Sequence, residues 1–369
     1  MRVLMTGGGT AGHVNPAIAI ANTIKEYEKE CEIAFVCSTV KTDKAQDLVP
    51  RAGYEKLYRV DICGSYQIWN PKNLKTLYLM IKSKGQAKRI IEEFKPDVII
   101  GTGGFACYPV LNAGADMGIP TIVHESNAIP GRAVRKLARK IDLVMVNFEA
   151  SAKDIQNAKK VICVGNPALI GQKKEDKSAN IAEDFEKSVL SFGGSLGAET
   201  LNLAIADMLC ALADKYPETE FYHAAGKRDF ENLRSIFESR GLLKKKNIKL
   251  VDYIYDMDDR MKRADLVISR AGAMTLSELS LMGKAAILVP SPYVAANHQF
   301  KNANAIYTEG GCMLVEEKDF SSGKLTESVD VLLSDEAKRS EIGEKIKKFA
   351  KNEANKTIYE EIKKVIAEK

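Results

Sequence analysis

MRVLMTGGGTAGHVNP (1–16) reads as a strand, a glycine turn and the first residues of a helix. Residues 2–7 are apolar with little polar alternation, the pattern of a strand covered on both faces. Three glycines break the run, and an amphipathic stretch over 14–28 follows. The same succession returns at SVLSFGGSLGAETLN (188–202), with a helical period over 201–212. Strand–turn–helix units of this kind open parallel sheets, and the recurrence predicts two of them.

Further strands are expected at 32–38, 97–101, 121–125, 143–147 and 161–165, and in the second half at 219–224, 248–253, 266–270 and 285–290. The fold class is therefore α/β, with two Rossmann-like parallel-sheet domains facing across a cleft lined by strand-end loops. The first domain is expected over 1–164 and the second over 165–350, with the polar, aperiodic stretch 165–188 as linker. Residues 351–369 read as a charged helix with the option of returning to the first domain. A chain of 369 residues suits two domains of about 150–200 residues each.

Composition excludes several classes. With 11 Pro and 26 Gly the chain is not collagen-like or low-complexity. No apolar run nears the roughly 18 residues of a membrane span, and an opening strand leaves no place for a secretory leader, so a cytosolic chain is expected. The seven cysteines are scattered and form no CxxC pair, which supports neither a disulfide framework nor a zinc site. The net charge of +5 is uneven: residues 1–166 carry +7 and the remainder −2. An anionic partner is expected at the first half.

The unusual residues gather in the strand-end loops. In TGGGTAGHVNP (6–16), Gly7, Gly9 and Gly12 satisfy GxGxxG, but Cys37, Ser38 and Thr39 stand where a nicotinamide fold needs an acid. The glycines still suit close approach of a ligand to a helix N-terminus, and His13 follows them as a candidate base. GTGGFACYP (101–109) and HESNAIPG (124–131) end two more strands. His124, Glu125 and Asn127 suit either an acceptor contact or a hydrogen-bonded turn. Gly193, Gly194 and Ser195 lack the Lys-Ser/Thr of a Walker loop and offer N–H donors and a hydroxyl for a diphosphate. In SRAGAMTLSELSLMGKAAILVP (269–290), Arg270 ends a strand, where it suits phosphate or uracil. Glu278, eight residues on, can accept from a ribose diol, and its alternative is a solvated helix face. Asn297, His298, Gln299 and Asn302 suit sugar hydroxyls better than phosphate.

Taken in order, GGGTAGH (7–13), GTGG (101–104), HESN (124–127), GNP (165–167), GGSLGA (193–198), RAGAMTLSE (270–278) and HQFKNA (298–303) resemble glycosyltransferase family 28, over nearly the whole chain. The resemblance implies the GT-B fold and inverting transfer of N-acetylglucosamine from UDP-GlcNAc to the MurNAc 4-hydroxyl of lipid I (undecaprenyl-diphospho-MurNAc-pentapeptide), giving lipid II. It implies His13 as general base. It implies a donor site of Thr10, Gly12, Asn127, Gly194, Ser195, Leu196, Ile254, Arg270, Ala273, Met274, Thr275, Glu278, His298 and Gln299. Ile254 would meet uracil through its backbone, Glu278 the ribose, and His298 with Gln299 the sugar. Gly103, Gly104, His124, Glu125 and Asn127 would lie on the acceptor side. No metal or other cofactor is implied, since helix dipoles with Arg270 would stabilise the leaving diphosphate. The chain departs from the family pattern at Phe105, Tyr108–Pro109, Ser126, Ala168–Leu169, Ala271 and Ala296, and so lacks an Arg after GNP that contacts nucleotide.

A lipid-linked acceptor gives the basic half a use. Lys72, Lys75, Lys82, Lys84, Lys88, Arg89 and Lys95 accompany Leu74, Leu77, Tyr78, Met80 and Ile81, with Trp69 just ahead. Arg132, Arg135, Lys136, Arg139 and Lys140 form a second basic run. These suit peripheral docking on an anionic membrane surface, at the cytoplasmic face. An ordinary solvated helix face is the alternative. Nucleic acid is not expected, because the basic residues lack interleaved aromatics. The competing enzymes are another UDP-sugar GT-B transferase acting on a different lipid, such as diacylglycerol, and a UDP-GlcNAc 2-epimerase.

Overall fold

The computed structural model describes residues 1–62, 72–167, 185–194, 197–294 and 297–369, with the backbone alone for 72–77. Cys63, Trp69, Ala168, Leu169, Ser195, Leu196, Ala296 and most of the 165–188 linker lie outside the described residues. The chain divides into two compact units: Met1–Gln172 with Lys351–Lys369, and Lys173–Ala350.

The first unit is a seven-stranded sheet, parallel throughout, in the order β3-β2-β1-β4-β5-β6-β7. Its strands are β1 (Arg2–Thr6), β2 (Glu32–Ser38), β3 (Leu57–Val60), β4 (Val98–Gly101), β5 (Thr121–Glu125), β6 (Leu143–Val146) and β7 (Val161–Cys163). Helices cover both faces, which is why the central strands carry apolar side chains in both directions. On one face α1 (Ala11–Tyr27) and α2 (Ala45–Arg51) bury Val14, Ile18, Ile24 and Val49 against Val3, Met5 and Phe35. On the other, α3 (Lys72–Phe94), α4 (Cys107–Asp116) and α5 (Arg132–Leu137) bury Ile91, Phe94, Leu111 and Val134 against Leu4, Ile99 and Val144. A short α6 (Glu149–Lys153) follows β6.

The second unit repeats the plan with six strands in the order β10-β9-β8-β11-β12-β13. They are β8 (Lys187–Phe192), β9 (Thr219–Ala224), β10 (Ile248–Val251), β11 (Leu266–Ser269), β12 (Ala286–Leu288) and β13 (Met313–Leu314). One face is covered by α7 (Glu199–Leu212), α8 (Phe230–Ser239) and α12 (Lys324–Ser334), the other by α9 (Met257–Arg263), α10 (Ala273–Met282) and α11 (His298–Tyr307). Ile342 and Ile346 of α13 (Glu336–Lys347) each enter one of these two cores.

The final helix, α14 (Ala354–Ala367), belongs to the first unit. Ile358, Ile362 and Val365 join the core beside α1, each contributing about 2 kcal/mol by burial. Tyr359 stacks on Tyr27 at 4.4 Å, and its hydroxyl donates to Glu28 at 2.8 Å.

Two strands were not anticipated. β3 and β13 are edge strands of four and two residues, and Tyr58 and Arg59 interrupt the apolar signal of the first. Among the described residues no helix is long and apolar enough to cross a membrane.

Candidate active site

In the first unit β1 lies between β2 and β4, so the strand order reverses there and the loops leaving β1 and β4 flank the switch point. His13 sits in the first turn of α1, whose first turn carries no acid. Its Nδ1 lies 3.2 Å from the Gly8 carbonyl. A carbonyl only accepts, so this bond requires Nδ1–H and leaves the ring lone pair on Nε2. The His13 carbonyl in turn accepts from Thr102 Oγ1 at 2.7 Å, which ties His13 to the β4 loop. Thr10 is the N-cap residue without a side-chain cap bond, and Gly12 is exposed beside it.

The β4 loop reaches this position because it has no side chains at two places. A Cβ at Gly103 would stand 2.6 Å from His13 Cδ2, and one at Gly104 would stand 2.1 Å from the Gly8 carbonyl oxygen. Gly104 also has φ of +84°, in the left-handed region. The two glycines assigned to the acceptor side thus let the loop approach His13.

The β5 end divides into structural and open groups. His124 is fully buried, with Nε2 2.8 Å from the Gly165 carbonyl, and burial pushes its imidazole down to about 4. It is a neutral core histidine. Glu125 accepts from the Asn127 backbone N–H (2.9 Å), the Asn127 side-chain amide (3.0 Å) and the Gly131 N–H (2.7 Å), so its carboxylate shapes the turn that leads into α5. Of HESN, Asn127 is the residue half-exposed at the surface of this loop.

In the second unit β8 occupies the equivalent switch point, between β9 and β11. The turn after β8 has Gly194 at φ +94°, and Gly197 N–H donates to the Gly194 carbonyl. The helix that follows carries Glu199 in its first turn. By contrast, α10 starts at Ala273, Met274 and Thr275 behind Gly272 with no acid in its first turn. No carboxylate there offsets the positive end of the helix dipole.

Arg270 is placed differently from the expectation. Its guanidinium is buried, donates to the Val289 carbonyl at 3.2 Å and forms an ion pair with Glu317. The buried arginine is held inside the unit by this pairing with the half-buried Glu317. Glu278, in the second turn of α10, is half-buried rather than solvated. Burial first, and the Asp258 charge second, raise its carboxyl to about 7. Gln299 Oε1 accepts from Ser291 N–H at 2.8 Å, and His298 opens α11 beside Asn297, which has φ of +51°. The Ile254 side chain is buried in the core.

One residue escaped the sequence reading. Asp43, buried just before α2, accepts from Gly9 N–H (2.7 Å) and Ala45 N–H (3.0 Å) through Oδ1, and from Ser38 N–H (2.9 Å) and Ser38 Oγ (2.7 Å) through Oδ2. The sequence marks it only as an acid five residues beyond the end of β2.

The glycosyltransferase family 28 N-terminal domain matches residues 3–146, and the family 28 C-terminal domain matches residues 188–358. The chain belongs to glycosyltransferase family 28. This family 28 chain is 37% identical, over 99% of its length and 100% of the relative's, to the UDP-N-acetylglucosamine--N-acetylmuramyl-(pentapeptide) pyrophosphoryl-undecaprenol N-acetylglucosamine transferase of Caldanaerobacter subterraneus subsp. tengcongensis. It is 36% identical to the protein of the same description from Acetivibrio thermocellus, over 100% of this chain and 99% of that one. Among solved structures, Acinetobacter baumannii MurG matches with a TM-score of 0.73 at 24% identity, over 98% of this chain and 99% of that one. A putative UDP-N-acetylglucosamine 2-epimerase from Listeria monocytogenes matches with a TM-score of 0.71 at 14% identity, over 100% and 97%. These two likenesses bear on the fold, which for this family 28 member is GT-B, with two parallel-sheet α/β units.

Proposed function

We propose that this family 28 chain transfers N-acetylglucosamine from UDP-GlcNAc to the MurNAc 4-hydroxyl of lipid I, with inversion, to give lipid II. The observation that carries the chemistry is the His13 ring, fixed by the Gly8 carbonyl so that Nε2 is the basic nitrogen. The acceptor hydroxyl oxygen bonds to the anomeric carbon as the bond from that carbon to the diphosphate oxygen breaks. The hydroxyl proton passes to His13 Nε2. The electron pair of the broken bond leaves on UDP, where the α10 N-terminal amides at Ala273–Thr275 take up the charge. Glu278 accepts from the ribose diol, and His298 with Gln299 meets the sugar.

Full-length identity to the transferases favours this reading over the epimerase, which shares the fold at far lower identity. The test of the base is His13→Ala. UDP-GlcNAc binding should persist while kcat falls by about 10²–10⁴-fold; undiminished turnover would remove His13 from that role.

The acceptor's lipid supports a membrane-docking role for the face formed by α3, α4 and α5, at the cytoplasmic side. Tyr78 and Ile81 are 62% and 69% exposed on α3, and Lys88, Arg89, Arg132, Arg135, Lys136 and Arg139 are exposed on the same layer. Lys82 pairs with Asp61, and Lys84 and Lys140 pair with Asp116. Apolar side chains among such cations suit an anionic leaflet, at about 1 kcal/mol per cation.

A further inference from the structure

Gly8 C=O and Gly9 N–H belong to one peptide group, and two side chains hold its opposite ends. Asp43 Oδ1 takes the Gly9 N–H at 2.7 Å, and the Gly8 oxygen faces His13 Nδ1 at 3.2 Å. Asp43 is itself fixed: its other oxygen accepts twice from Ser38 at the end of β2, and the next residue, Lys44, donates its N–H to the Gly9 carbonyl at 3.1 Å. A Cβ at Gly8 would stand 2.6 Å from Asp43 Oδ2, so only glycine lets the carboxylate come this close.

We infer that Asp43 is a positioning residue for His13, acting through the Gly8–Gly9 peptide. A carboxylate on the N–H end of an amide polarises it and makes its carbonyl a stronger acceptor. That carbonyl holds the imidazole as the Nδ1–H tautomer and aims Nε2 at the incoming hydroxyl. The arrangement does the work of a carboxylate bonded directly to a histidine, with a peptide group interposed. All four groups that meet Asp43 are donors, so both its oxygens act as acceptors. The inference rests on the reading of His13 as the base.

The test separates the two ideas. Nitrogen NMR of protein labelled with 15N-histidine, at about pH 8.5, reports each ring's tautomer without turnover. The chain has four histidines, and His13→Ala assigns the signal of interest. The wild-type His13 ring is expected to carry its proton on Nδ1, and Asp43→Asn to shift it toward Nε2–H. In the same variant kcat should fall by about 10- to 100-fold, with KM for UDP-GlcNAc within about twofold of wild type. If the amide variant does not fold, Asp43→Glu serves, because the longer side chain cannot hold Ser38 and Gly9 together, and the same tautomer shift is expected. An Nε2–H ring in the wild type, or a tautomer unmoved in a folded variant, would overturn the inference. Undiminished turnover in His13→Ala would instead refute the base, and leave the tautomer result standing.

Discussion

Glu278→Gln should stabilise the second unit and damage donor binding, and the stability gain should depend on pH. The carboxyl is raised from 4.5 to about 7 by burial and by Asp258. The folded state therefore binds more protons than the unfolded chain between those values, and stability falls as pH rises through that window. A move of this size costs the ionised folded state about 3 kcal/mol at most, and about 2 kcal/mol after allowance for the side chain's partial exposure. Glutamine removes the charge at nearly constant volume. For a unit of this size the gain at pH 8 corresponds to about 4–8 °C in Tm, shrinking to about a quarter of that at pH 5. Thermal denaturation of both proteins at the two pH values measures it. Donor kinetics should move the other way, because an amide cannot accept from both ribose hydroxyls as a carboxylate does. KM for UDP-GlcNAc should rise about 10- to 100-fold at pH 8. An equal Tm gain at pH 5 and 8, or none at pH 8, would refute the assignment of a strained carboxylate. An unchanged KM would remove Glu278 from the donor site.

Gly104→Ala should cost at least about 3 kcal/mol and lower the Tm of the first unit, since its Cβ meets the Gly8 carbonyl as well as an unfavourable φ. Gly53→Ala, with φ of +86° and open space around it, should cost only about 1–2 kcal/mol, so equal losses would show that the close approach is not what the glycine serves. Replacing Arg132, Arg135, Lys136 and Arg139 with Gln should weaken co-sedimentation with vesicles rich in phosphatidylglycerol by at least about tenfold, and leave turnover on a soluble acceptor analogue unchanged. Equal binding to neutral vesicles by the unsubstituted protein would contradict an electrostatic docking face.

Most of the sheet was legible because buried parallel strands are short apolar runs bounded by glycine turns, as at 2–7 and 188–193. β3 and β13 were not, since edge strands need little apolar pattern. The return of residues 351–369 to the first unit was one of the options the sequence offered, but that Ile358, Ile362 and Val365 pack beside α1 was not legible there. The placing of His13 behind a glycine turn, in the first turn of α1, was legible from position alone. Arg270 and His124 were not, because a strand-end position does not reveal that Glu317 and the Gly165 carbonyl claim them. Asp43 was hidden for the opposite reason: three of its four donors are backbone amides, which carry no residue signature.

The most direct measurement incubates the purified protein with UDP-GlcNAc labelled in the sugar and a lipid I analogue, with and without a chelator. The account predicts label in a lipid-linked disaccharide of inverted anomeric configuration, one UDP released per transfer, and no effect of chelation. Donor bound without transfer, or free N-acetylmannosamine and UDP formed without acceptor, would contradict it.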